Sequence, residues 1–171
     1  MIKPNSLRAA LAAIFPEFDI DPNRLHLWVE EGHVRCHAAD PAVGEDLSFS
    51  IEYTLKVWIE KWDKPSIAVW IVLLDWLRVQ QPDLLTPAQS KTAIPFEADL
   101  LSETEADLGF DLTLTEPVKA IRREDGGFDM QVIAEPEHVM PDTFNPPLPG
   151  EVRGETLKSI WIDGEKLAGV E

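Results

Sequence analysis

The sequence predicts an α+β fold: an antiparallel, twisted β-sheet with two main helices packed on it, continued by a Pro-rich C-terminal arm that ends in a small hairpin. Three observations carry this. Residues 47–59 place an apolar side chain at every odd position (Leu47, Phe49, Ile51, Tyr53, Leu55, Val57, Ile59) and, apart from Trp58, a polar one at every even position. Only a strand with one buried face satisfies that pattern, because side chains alternate along a strand. Residues 67–78 are instead apolar nearly all round, between Pro65 and Pro82. Asp125-Gly126-Gly127 joins two further short runs, and those residue types tolerate the positive φ of a tight hairpin.

Taken in order, Asn5 or Ser6 can cap a first helix over residues 7–14, with Leu7, Ala10, Leu11 and Ile14 on one face and Pro16 as its stop. Residues 24–31 alternate through Leu25, Leu27 and Val29, Gly32 supplies a turn, and residues 33–37 return, so a hairpin is expected. A loop over 38–46, with Pro41 and Gly44, leads into the long strand. At about 3.3 Å per residue that strand spans roughly 43 Å and should bend, bulge or overhang the body.

Asp63 and Pro65 open the second helix, which runs to about Gln80 and is stopped by Pro82. A lone surface helix keeps a polar face, so this one must be covered on more than one side, inside the domain or by another subunit. Phe96, Ala98 and Leu100 alternate, as do Leu108, Phe110, Leu112 and Leu114; Pro117 should end the second of these strands or force it to an edge. Residues 118–123 and 128–133 form the Gly-rich hairpin.

Beyond Ala134 the composition changes, with Pro136, Pro141, Pro146, Pro147 and Pro149 in a stretch without sustained period. The chain therefore divides into an α+β domain over 1–134 and an extended arm over 135–171. The arm closes on two short strands about Asp163-Gly164, where Ile160, Trp161 and Ile162 should dock, since an isolated hairpin is marginal in water.

Composition narrows the function. A net charge of −16 repels phosphates and anionic lipids, which argues against sequence-specific nucleic-acid binding and stable membrane-surface binding. The longest apolar run, residues 67–74, falls short of the roughly 18 residues of a membrane span, and no basic stretch followed by an apolar run marks a secretory leader. The single cysteine, Cys36, excludes an internal disulfide and fits a reducing cytosol.

Chemistry is sparse. His33 and His37 share a strand face about 13 Å apart while Cys36 points the other way, too far to converge on one ion. Glu97, Asp99, Glu103, Glu105, Asp107, Asp111 and Glu116 read as the wet face of a half-buried sheet, and no nucleophile elbow or phosphate-cradling loop is present. Neither an enzyme, a cofactor nor a metal is expected. Trp70 and Trp76 belong to the apolar helix, whereas Trp58 and Trp62 share the even, outward parity of the long strand.

Several segments, in order, resemble the tail completion protein R (GpR) family of contractile-tailed temperate bacteriophages. They are residues 3–8 (KPNSLR), 25–32 (LHLWVEEG), 47–55 (LSFSIEYTL), 74–84 (LDWLRVQQPDL), 96–100 (FEADL), 112–116 (LTLTE) and 161–165 (WIDGE). The resemblance implies a tail terminator that caps tail tube and sheath, fixes tail length and presents a surface for head joining. It implies partners among tube, sheath and head-completion or connector proteins, assembly in the bacterial host cytoplasm as a hexameric ring, and residence in the virion tail. It supplies no catalytic residues. On this reading Glu52, Lys56, Trp58, Trp62 and Trp161 are the candidates for subunit or tail contacts. The alternative is an acidic soluble adaptor or immunity-type inhibitor that neutralises a basic protein partner.

Overall fold

The computed structural model describes residues 1–36, 48–85, 94–134, 157–162 and 164–169. Helix α1 (Lys3–Ile14) and the single turn α2 (Glu17–Ile20) precede strands β1 (Leu25–Cys36) and β2 (Phe49–Trp62). Helix α3 (Ile67–Gln80) follows, then β3 (Phe96–Leu100), β4 (Ala106–Arg122), β5 (Phe128–Val132), β6 (Ser159–Ile162) and β7 (Glu165–Gly169). The main sheet is antiparallel in the order β1-β2-β4, with β3 and β5 paired to the two ends of the same edge of β4. Strands β6 and β7 form a separate ribbon.

The alternation behind β2 holds. Tyr53, Leu55, Val57 and Ile59 face inward beside Leu108, Phe110, Leu112 and Leu114 of β4, in one cluster with Leu7, Leu11 and Ile14 of α1 and Val72, Leu73 and Leu77 of α3. Each such side chain contributes about 1.5–3 kcal/mol when fully buried. Leu47 lies outside the described residues. Ile160 of β6 joins the same cluster, so the C-terminal ribbon docks through that residue as the marginal stability of a lone hairpin requires, whereas Trp161, expected to dock with it, points to solvent. Residues 135–156, where the Pro-rich stretch falls, lie outside the described residues, as does His37.

Several expectations are corrected. Residues 25–36 form one strand rather than a hairpin about Gly32, because β2 is long enough to pair with all of it; the register slips between Val29 and Glu31. Gly32 lies opposite Tyr53, where a Cβ would come within 2.9 Å of the Glu52 carbonyl oxygen, so the missing side chain allows a close approach. Pro117 neither ends β4 nor moves it to an edge. Its backbone faces away from β2, into the stretch between β3 and β5 where it donates to no strand, and its carbonyl accepts the Ile133 N–H at 2.8 Å.

The third correction concerns Glu116. It has the parity of Leu112 and Leu114, not of the wet face, and is 1% exposed. Its carboxylate accepts the Ile2 N–H at 2.8 Å, the Lys3 N–H at 3.0 Å and the Tyr53 hydroxyl at 2.5 Å. This explains why α1 begins at Lys3 without a side-chain cap of its own: the N–H groups of Ile2 and Lys3 at its start are satisfied from β4, at the end of the helix where the dipole favours an anion. Ser6, expected as a cap, accepts the Trp76 indole N–H instead. Buried Lys3 donates from Nζ to Gln81 Oε1 at 2.6 Å, and the same oxygen accepts the Thr115 N–H at 3.1 Å. The start of α1, the end of α3 and the middle of β4 thus meet in one buried polar cluster.

Removing the carboxylate strands these donors in the core. Glu116→Ala should lower unfolding free energy by about 3–5 kcal/mol, measured by denaturant titration, whereas an exposed carboxylate such as Glu103 should change it by less than about 0.5 kcal/mol when replaced by Ala.

Candidate functional site

With both helices on the inner face of the sheet, no described element packs on its outer face. The even positions of β2 line it. Lys56 stands between Trp28 of β1 and Asp111 of β4, and Trp58 stands between His26 and Gly109, with Glu97 of β3 beyond. Lys56 Nζ lies 3.2 Å from Glu30 Oε2 and 3.8 Å from Asp111 Oδ2. The hydrogen bond that the ammonium donates to Glu30, and then the Asp111 charge, hold its pKa above the ordinary value. Glu52 is 2.6 Å from Arg35 Nε. Solvent screens such exposed pairs, so they set the pattern of charge on this face more than its stability.

Gly109 shapes the surface. A Cβ at that position would fall 2.7 Å from Cε3 and Cζ3 of Trp58, so the indole lies across β4 where only glycine leaves room. Trp28, Lys56, Trp58, Glu97 and Asp111 border a recess of about 220 Å³, smaller than the roughly 300–1,000 Å³ typical of small-molecule sites. Among the described residues, no three His, Cys, Asp or Glu side chains converge as a metal site would require.

The structure therefore brings Glu52, Lys56 and Trp58 onto one face, and Trp161 is exposed on β6, its indole N–H donating to Ser159 Oγ at 3.0 Å. Trp62 is the exception. Between Ile59 and Trp62 the pairing shifts, Lys61 takes φ +53°, and Trp62 turns inward to 3% exposure. There it meets Phe15 edge-on with ring centroids 5.0 Å apart and stacks on Phe18 at 6.2 Å. The outward parity expected of Trp62 assumed an unbroken strand; the bulge reverses it, and the residue belongs to the core. Trp28 and Gly109 were not singled out from sequence as part of this surface. The available signal was a glycine inside an alternating strand, which marks close approach of another group.

The two tryptophans should separate cleanly on substitution. Trp62→Ala should cost about 3–5 kcal/mol of stability, and Trp58→Ala less than about 1.5 kcal/mol, since its ring is only half-buried on the solvent side. Chemical denaturation of both variants checks this; equal losses would contradict the placement.

The model of the P2 phage tail completion protein R (GpR) family matches residues 1–136. Tail completion protein R of Escherichia phage P2 is 30% identical over 162 residues, which cover 94% of this chain and 99% of that protein. No solved structure is significantly similar. Matched over most of its length by the family model, and over nearly all of it by a curated relative, the chain belongs to the P2 phage tail completion protein R family of bacteriophage structural proteins.

Proposed function

We propose that this tail completion protein acts as the tail terminator: it caps tube and sheath, ends their growth, and presents the surface to which the head is joined. Tube, sheath and head-completion or connector proteins are then its partners, met in the bacterial host cytoplasm, and the capping form is a ring of several copies. The observation that carries the reading furthest is the outer sheet face, which no described element covers. A protein with one face of its sheet covered and the other carrying an indole held over Gly109 among charged groups resembles half of an interface.

The physical logic is that of a hot spot inside a polar rim. Trp58, with Trp28 beside Lys56, supplies the area that is desolvated on contact, and Glu52, Lys56 and Asp111 supply orientation and reject mispaired partners. Trp161 offers a second anchor on the C-terminal ribbon. The overall negative charge opposes non-specific aggregation of free copies.

Particles assembled without the protein should show tails of uncontrolled length, or tails of normal length without heads, by electron microscopy. Complementation with Trp58→Asp should leave the denaturation midpoint close to the parent's yet reduce infectious yield by at least tenfold. Normal infectious particles in the absence of the protein would end the proposal.

A further inference from the structure

Helix α3 has a second apolar side against which no other described element is fully packed. Ala68, Val69, Val72, Leu73, Trp76 and Leu77 are buried in the core. Ile67, Ile71 and Leu74, spaced i, i+4, i+7 on the opposite face, are 55%, 43% and 44% exposed, where a helix meant for water carries polar residues. The stripe continues onto β3: the Trp70 and Phe96 rings lie 5.1 Å apart, Phe96 is 62% exposed, and Trp70, Leu74, Ile94 and Phe96 border a shallow cleft of about 260 Å³.

We infer that this face, the outer side of α3 with Phe96 beside it, is where two copies of the chain associate. The inference deepens the ring of the proposed function and rests on that reading only for the biological use of the contact. Ile67, Ile71, Leu74 and Phe96 form a contiguous exposed apolar patch, the kind of surface that on a monomer marks an interaction site, and it would form the apolar centre of a standard interface, which buries roughly 800 Å² per partner.

Charge selects the occupant. Two copies of a chain carrying −16 repel each other, so they can approach closely only through a face without carboxylates. From Ile67 to Leu74 there is no ionisable side chain, and the next two along the helix, Asp75 and Arg78, neutralise each other at 2.8 Å. A basic partner gains nothing here, whereas Glu30, Glu97 and Asp111 lie on the other face of the sheet. Because the contact is apolar and the opposing force is long-range repulsion, added salt should strengthen association, the reverse of its effect on a charge-driven complex.

Analytical ultracentrifugation of the full chain tests this. Its mass should rise above 19.2 kDa with concentration, and do so more readily in high salt. Ile71→Asp and Leu74→Asp should weaken association at least tenfold with an unchanged denaturation midpoint, since both side chains are already exposed, while Trp58→Asp should associate as the parent does. A chain that stays monomeric at every concentration and salt, or Asp variants that associate undiminished, would overturn the inference. Those results leave the terminator reading untouched, because it stands or falls on the particles assembled without the protein.

Discussion

The architecture depends on one buried carboxylate. Glu116 sits in the apolar register of β4, accepts from the first turn of α1 and from Tyr53 on β2, and adjoins the Lys3–Gln81 contact that fixes the end of α3. An anion in a core is costly unless its donors are in place, so any arrangement that moves α1 or shifts β2 against β4 leaves it unsatisfied. Apolar side chains alone tolerate sliding; this cluster does not. It sets where the helices lie, and the packing of α1 in turn provides a place for the C-terminal ribbon, whose β7 contacts it.

Placing both helices on one face of the sheet leaves two surfaces of different character. The outer face of the sheet is charged and aromatic, with Trp58 held over Gly109 and Lys56 among carboxylates. The outer face of α3 is neutral and apolar. In the reading proposed above, the first meets proteins that complement its charge and the second another copy of the chain. A tail completion protein needs both kinds of contact if it closes a tail as an assembly of several copies.

What was legible in the sequence followed from periodicity. The alternation of β2, the all-round apolar character of α3 and the Asp-Gly-Gly turn each report a local constraint, and each appears in the fold. The segments shared with the tail completion family identified the role because their order and spacing are a property of the whole chain. What escaped depended on tertiary context. Lys61 is not a residue that announces positive φ, so nothing local signalled the bulge that turns Trp62 inward. Gly32 and Pro117 carry turn and edge signals that a long partner strand and a gap between β3 and β5 override. Glu116 was visible in its parity, but reading it as core required knowing that the start of α1 and Tyr53 lie opposite.

The chain contains a single tyrosine, which makes the central cluster directly observable. Burial, reinforced by the Glu116 carboxylate, drives the Tyr53 pKa far above its ordinary value near 10. A phenol whose folded pKa is raised stabilises the fold fully below its unfolded value, and that contribution is lost as pH rises beyond it. Ultraviolet titration alongside circular dichroism should therefore show tyrosinate appearing only as the chain unfolds, well above pH 10. Tyrosinate forming with a midpoint near 10 while the fold stays intact would contradict a carboxylate buried at the heart of the structure.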